Sequence, residues 1–224
     1  MITLHHLENS RSQRILWLLE ELELDYQIRH YARDPQTMLA PQALREIHPL
    51  GKSPVITDGA TVIPESGTII EYLIQTYGKG AWQPTPQDPE WLNYRYWLHY
   101  AEGSLMPLMV MKLIFTRIPN SPMPFFARPV ARGLSHKVIG TFLDPQLQTQ
   151  LTLINDHLAS HHWFAGEQPS GADIQMSFPL QAAATRANLD DLPHIRRFLD
   201  QVEQRPAYQR AAERGGKLQP LTGK

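Results

Sequence analysis

The chain is expected to fold as a small α/β domain followed by an all-helical one, and three observations predict this. Over residues 1–78, short apolar runs of strand length alternate with amphipathic stretches of helical period. Residues 79–89, together with Gly78, are rich in glycine and proline and read as a linker. From residue 90 to 224 the strand patterns stop and long 3.6-period segments take over.

Taken in order, Ile2 to Leu7 reads as a strand, ended by the polar turn Glu8-Asn9-Ser10. A helix is expected from Ser12 to Glu23, with Ile15, Leu16, Leu18, Leu19 and Leu22 on its apolar side. Tyr26 to Tyr31 is a second strand, and an irregular stretch with Pro35, Pro41 and Pro49 follows. Ser53 to Thr57 and Ala60 to Ile63 pair as strands around a turn at Asp58-Gly59. Gly67 to Tyr77 closes the unit as a helix. This β-α-β, β-β-α order is that of a thioredoxin-like fold. In the second domain, Trp91 to about Phe115 carries Tyr94, Trp97, Leu98, Ala101, Leu105 and Leu108 along one side. Leu147 to His162, Ile174 to Asn188 and Ile195 to Gln204 are further helices, and Ser170 with Asp173 has the spacing of a capping box.

Charge and composition exclude several classes. The 224 residues hold 21 basic and 22 acidic side chains, a net charge of −1, so no global field recruits nucleic acid or an anionic membrane. No apolar stretch is long enough to span a bilayer, and the N-terminus lacks a basic region followed by an apolar core. Cysteine is absent, which removes disulfides, thiolate metal sites and any protein thiol nucleophile. A cytoplasmic protein without a metal is expected.

Two short motifs carry chemistry. In Pro64-Glu65-Ser66-Gly67, an acid and a hydroxyl open an apolar helix, an arrangement that can hold the ammonium and carboxylate of an amino acid. The plainer reading is an ordinary cap, with Ser66 capping a helix that begins near Gly67. Shortly before it stands Gly51-Lys52-Ser53-Pro54-Val55, whose proline sits at a strand start.

Read together, residues 1–80 resemble the glutathione S-transferase family, and Trp163 to Gly166, Ser170 to Asp173 and Arg205 to Tyr208 resemble its helical half more faintly. The resemblance implies a cis bond before Pro54, pairing of the Ser53 backbone with the cysteinyl part of glutathione, and a grip of Glu65 and Ser66 on its γ-glutamyl end. It implies a Tyr, Ser or Cys contact to the sulfur where the first strand meets the first helix. Cysteine is absent and no tyrosine lies between Met1 and Leu24, so Ser10, four residues before Arg14, is the candidate. Asn9, Arg11 and Ser12 are the fallbacks, and capping by Asn9 or Ser10 is the competing role. Ser10 would donate a hydrogen bond to the thiolate and would not act as a covalent nucleophile, since no adjacent base is evident. His5 and His6 cannot both point from one strand into one site, and they are read as structural or supporting.

The chain departs from the pattern in two places. Thr37 to Gln42 offers no base for the glycyl carboxylate, which leaves Lys52, and Ser53 stands where an apolar residue is usual. For the second substrate, Tyr96, His99, Tyr100, Gly103, Ser104 and Pro107 share a helix side and can line a pocket. From Lys112 to Leu143 there are five basic residues and no acid, interleaved with proline and phenylalanine; this reads as a surface connection able to cover the pocket mouth. The resemblance implies a homodimeric glutathione transferase with glutathione as co-substrate, acting on small apolar electrophiles or reducing organic hydroperoxides. A ligand-binding or regulatory relative without catalysis is the alternative.

Overall fold

The computed structural model describes residues 1–34, 37, 39–185 and 189–216; Pro35, Met38, Asn188 and residues 217–224, which figure in the expectations above, lie outside the described residues. The first unit contains β1 (Ile2–Leu7), α1 (Ser12–Glu21), β2 (Tyr26–Tyr31), α2 (Gln42–Ile47), β3 (Val55–Asp58), β4 (Thr61–Pro64) and α3 (Ser66–Tyr77). Its four-stranded sheet has the order β2-β1-β3-β4. β1 runs parallel to β2 and antiparallel to β3, with Leu4 opposite Ile56 and His5 opposite Val55. The short α2, which the proline-rich sequence hid, is held to the sheet by Leu44 packed on Leu7 and Tyr31.

α1 is the keystone of the molecule. Every residue from Ser12 to Leu19 is buried, because the helix has a partner on each side: the sheet and α3 on one, the helical domain on the other. An amphipathic pattern predicted one buried face; burial of Ser12, Gln13 and Arg14 as well is a product of domain docking.

The second unit begins with α4 (Trp91–Tyr100), which widens into a π turn over Ala101–Leu105 and continues as α5 (Met106–Arg117). α6 (Arg128–Val138) passes through a second π turn at Ile139–Leu143 into α7 (Asp144–Ser160). Each π turn is followed by a proline, Pro107 or Pro145, whose missing N–H breaks the regular ladder there. α8 (Gly171–Ala184), α9 (Pro193–Gln204) and α10 (Pro206–Gly215) complete the domain. The predicted basic connection is thus largely helical, and its Phe125 and Phe126 are 83% and 70% exposed. Among the described residues, no helix is long and apolar enough to cross a membrane.

The capping box starting α8 is formed as its spacing predicted. Asp173 accepts from the N–H of Ser170 at 2.7 Å, the hydroxyl of Ser170 at 2.9 Å and the N–H of Phe164 at 2.8 Å. Burial pushes its carboxyl up to about 6 in spite of these donors. α10 returns to α1, where Glu20 pairs with Arg210 at 2.8 Å and Arg214 at 2.9 Å, and Glu21 with Arg205.

Candidate active site

The end of β1, the turn at Asn9-Ser10 and the start of β3 meet beneath α5 and α8 around a cavity of about 480 Å³. Asn9, Ser10, Arg11, Lys52 and Ser53 line it from the α/β side. A smaller cavity of about 170 Å³ adjoins it, sharing Arg11, Lys52 and Ser53 and reaching Pro54, Glu65, Ser66 and Glu102. The Ser53–Pro54 bond is cis.

Ser10 is only 6% exposed. Its Oγ lies 2.9 Å from Ser12 Oγ and accepts the Ser12 N–H at 3.3 Å, so capping the turn and facing the cavity are not competing roles. Asn9 and Arg11 also reach the cavity, whereas Ser12 is buried behind Ser10 and hydrogen-bonds His6. The departure at Ser53 has a local explanation: its hydroxyl donates to the His5 carbonyl at 3.1 Å and accepts the Leu7 N–H at 3.4 Å, which ties the cis turn to β1. Lys52 is exposed at the junction of the two cavities.

At the start of α3, Ser66 is not the side-chain cap that the sequence suggested; it is the first helical residue. Glu65 precedes it with φ +67°, a region that costs a non-glycine residue about 1–3 kcal/mol and so points to a held geometry. Glu65 is exposed on the rim of the smaller cavity, where a ligand cation can reach it. Ser66 is buried and accepts from Arg14 Nη2 at 2.6 Å, which leaves its own hydroxyl hydrogen free to donate toward the cavity. The first N–H groups of α3 have no partner within the helix, and with Glu65 and Ser66 lining the smaller cavity this helix start favours an anion there.

The sequence reading missed Arg14 and Glu102. Arg14 is 2% exposed; besides Ser66 it donates to the Gln175 carbonyl at 2.7 Å and is ion-paired with Glu102. Burial lowers its guanidinium to about 10, which still leaves it charged. Glu102 also takes both oxygens to Arg11 Nε, at 2.9 and 3.0 Å. Burial alone would raise the Glu102 carboxyl, but Arg14 and Arg11 hold it below its ordinary value. Glu102 sits in the π turn, and nothing local in the sequence marks it, because both of its arginine partners lie about ninety positions away.

The structure places the residues expected at the second-substrate pocket away from these two cavities. Tyr96, His99, Tyr100 and Ser104 do not line either cavity. Tyr100 packs instead on Trp97 and Tyr96, with ring centroids at 5.1 and 5.3 Å. The apolar wall comes from α5 and α8: Met106, Met109, Val110, Leu113, Phe178 and Ala182. The four α5 residues follow an i, i+3, i+4, i+7 stripe that was visible in the sequence. The π turn at Ala101–Leu105 breaks the helical register, so a face read on α4 does not continue along α5.

A larger cavity of about 610 Å³ opens between α8 and α10 and meets the first at Thr185. Among the described residues, its lining includes Glu203 and Glu213 and no cation, whereas the cavity at Ser10 carries Arg11, Arg33, Lys52 and Arg117.

Comparison with known proteins places the chain in a family. Residues 4–85 match the model of the glutathione S-transferase N-terminal domain and residues 143–206 that of the C-terminal domain. The chain is 40% identical over 217 residues to glutathione S-transferase 3 of Schizosaccharomyces pombe, covering 96% of this chain and 88% of the relative. This chain belongs to the glutathione S-transferase family. Glutathione S-transferase 1 of Saccharomyces cerevisiae is 32% identical, covering 97% of both chains. Among solved structures, a glutathione S-transferase from Actinobacillus pleuropneumoniae superposes with a TM-score of 0.78 at 34% identity, covering 97% of this chain and 94% of its own. The fold is further shared with a sphingomonad glutathione S-transferase solved with glutathione, at a TM-score of 0.72 and 17% identity over 96% of this chain and 98% of that one.

Proposed function

We propose that this chain is a glutathione transferase that binds glutathione across the two connected cavities and ionises its thiol for attack on a small apolar electrophile. The observation that carries this reading is convergence: Ser10, the cis Ser53–Pro54 turn and the N-terminus of α3 border two adjoining cavities that share Arg11, Lys52 and Ser53.

The γ-glutamyl carboxylate takes the Ser66 hydroxyl and the first N–H groups of α3, and its ammonium lies between Glu65 and Glu102. The Ser53 backbone pairs with the cysteinyl amide, and Lys52 meets the glycyl carboxylate. The sulfur then lies at Ser10, below the wall of Met106, Met109, Val110 and Leu113, where an apolar second substrate is held out of water.

A free thiol ionises near about 8.5, so little thiolate exists at neutral pH. Lowering that value by about two units requires roughly 2.7 kcal/mol. A hydroxyl donating to an anion contributes about 1.5–3 kcal/mol, and the N-terminus of α1 adds about 0.3–1 kcal/mol. The thiolate displaces the leaving group of an electrophile, or attacks a hydroperoxide oxygen to release an alcohol and form a glutathione sulfenic acid, which a second glutathione converts to glutathione disulfide and water. We further propose that the protein works as a homodimer.

Thiolate absorbance of bound glutathione against pH tests this reading. The wild type is expected to show a depressed thiol pKa that rises by one to two units in Ser10→Ala, about ten- to a hundredfold less thiolate. An unchanged value in the variant would transfer the role to Asn9 or Arg11. Binding without any depression would leave a carrier protein in place of an enzyme.

A further inference from the structure

Behind Ser10 runs a chain of hydrogen bonds that ends on a buried histidine. Ser10 Oγ is 2.9 Å from Ser12 Oγ, Ser12 Oγ is 2.9 Å from His6 Nδ1, and His6 Nε2 is 2.9 Å from the carbonyl of Gly215. All three side chains are buried, and His6 is 1% exposed. Gly215 is the last residue of α10, and a Cβ there would meet Gln13 at 2.5 Å, Leu16 at 2.6 Å and His6 at 3.0 Å. Only glycine lets the end of this helix close onto His6.

Counting protons along the chain fixes its direction. A carbonyl can only accept, so His6 Nε2 must carry a hydrogen. In neutral His6, Nδ1 is therefore an acceptor, and the Ser12 hydroxyl gives it its only hydrogen. Ser10 must then donate to Ser12, which turns a lone pair toward the cavity, the arrangement that suits a neutral thiol. If His6 carries a second proton, every bond reverses: Nδ1–H donates to Ser12, Ser12 to Ser10, and Ser10 to a thiolate. Other acceptors are farther away, Leu7 O being 3.3 Å from Ser12 Oγ and Ser53 Oγ 3.5 Å from Ser10 Oγ. In the reversed state Ser10 accepts from both the hydroxyl and the N–H of Ser12, so its oxygen is fully paired.

We infer that His6 is the proton acceptor for the glutathione thiol, reached through Ser12 and Ser10, so that ionisation of the thiol moves its proton into the protein instead of into water. This rests on the reading of Ser10 as the thiol partner. The S–H bond breaks and a Ser10 O–H forms; the former Ser10 proton passes to Ser12 Oγ, and the former Ser12 proton to His6 Nδ1. The result is one thiolate and one imidazolium, with no change in electron count. Once the sulfur has bonded to the electrophile, the proton returns along the same hydroxyls to the departing anion.

The surroundings of His6 suit a reversible acceptor. Burial, first of all, lowers its pKa, so it waits neutral, and His30 on β2, with its ring 5.5 Å away, acts in the same direction. The Gly215 carbonyl at the C-terminus of α10 and Glu8 beyond β1 favour the charged form. The neighbouring His5 takes no part; it turns to the other side of β1 and bonds the Tyr31 hydroxyl at 2.9 Å.

The test compares thiolate formed, read by ultraviolet absorbance, with protons released on glutathione binding, read by titration calorimetry in buffers of different ionisation enthalpy. S-methylglutathione, which has no thiol, supplies the baseline for other linked protons. In the wild type at neutral pH, thiolate is expected to form with clearly less than one proton released per thiolate. His6→Gln, which keeps polar atoms but cannot be protonated, is expected to release one proton per thiolate and to raise the thiol pKa by about one unit, a tenfold loss. Ser12→Ala, which cuts the chain and leaves the His6 side chain in place, is expected to restore one proton per thiolate even if His6→Gln folds poorly. Release of one proton per thiolate in the wild type, with Ser10→Ala still raising the pKa, would overturn the relay and leave the Ser10 reading intact. No effect of Ser10→Ala on the thiol would overturn both.

Discussion

Replacing Glu102 by Gln probes the ion cluster beneath the smaller cavity. Gln keeps the shape and one acceptor, but it removes the charge that neutralises Arg14 and sets an NH₂ group against Arg11 or Arg14. Arg14 cannot escape to water, since it is 2% exposed and held by Ser66 and the Gln175 carbonyl. Breaking a fully buried pair costs about 3–5 kcal/mol. The Glu102 side chain is 30% exposed, so solvent screening reduces the expected loss to about 2–3 kcal/mol. For a chain of this size that is roughly 5–10 °C in Tm. The pH dependence supplies a second signature. The Glu102 pKa is lowered in the folded state, so its contribution is full above the unfolded carboxyl value and is lost as pH falls through the lower folded value. The variant should therefore lose stability at neutral pH and show a shallower acid limb, measured by thermal unfolding between acid and neutral pH. Wild-type stability at neutral pH, or an unchanged acid limb, would refute the claim that this cluster is a paired, buried unit. The KM for glutathione should also rise, because the γ-glutamyl ammonium loses an acceptor.

Lys52→Ala should raise KM for glutathione about tenfold with kcat little changed, as expected for an exposed charge worth about 1–1.4 kcal/mol in ground-state binding, and added salt should shrink the difference. Met109→Ala should weaken binding of apolar electrophiles while leaving the glutathione KM unchanged in steady-state kinetics, since Met109 lines only the larger of the two connected cavities. Asp173→Asn should cost about 2–4 kcal/mol by denaturant unfolding, because the amide sets donors against the N–H groups of Phe164 or Ser170. The Asp173 carboxyl is raised to about 6, so wild-type stability from this group falls as pH climbs from the unfolded carboxyl value through about 6. The wild-type advantage over Asp173→Asn should accordingly be smaller at neutral pH than in mild acid.

Much of the fold was legible because it rests on local rules. The strand Ile2–Leu7, the β3–β4 hairpin and the Ser170–Asp173 cap are each decided by neighbours in sequence; the strand and the cap formed as expected, and the hairpin turn lies one residue on from Asp58-Gly59, because Asp58 pairs with Thr61 and leaves Gly59 and Ala60 in the turn. The site was legible where a motif is contiguous: Ser53–Pro54 is cis, and Ser66 opens α3. It was hidden where chemistry comes from distant segments. Ser66 was read as a cap, yet it accepts from Arg14, a residue 52 positions away. Tyr96 and Tyr100 were read as pocket walls because an uninterrupted helical register was assumed, and the π turn at Ala101–Leu105 removed that register.

By itself the sequence determined the two-unit organisation and the strands of the first unit, the absence of thiol chemistry in the protein and the identity of a serine just after β1, while α2, α6 and α10 were not read from it. Periodicity and residue type are sufficient for these, since they depend on backbone preference and side-chain chemistry alone. Tertiary structure decided what stands behind and opposite that serine. Docking of α8 and the π turn onto α1 buried Arg14 against Glu102, and the close approach of Gly215 at the end of α10 set a carbonyl on His6. Those contacts join residues up to 209 positions apart, and no local pattern encodes a pairing that only the packed core brings within hydrogen-bond reach.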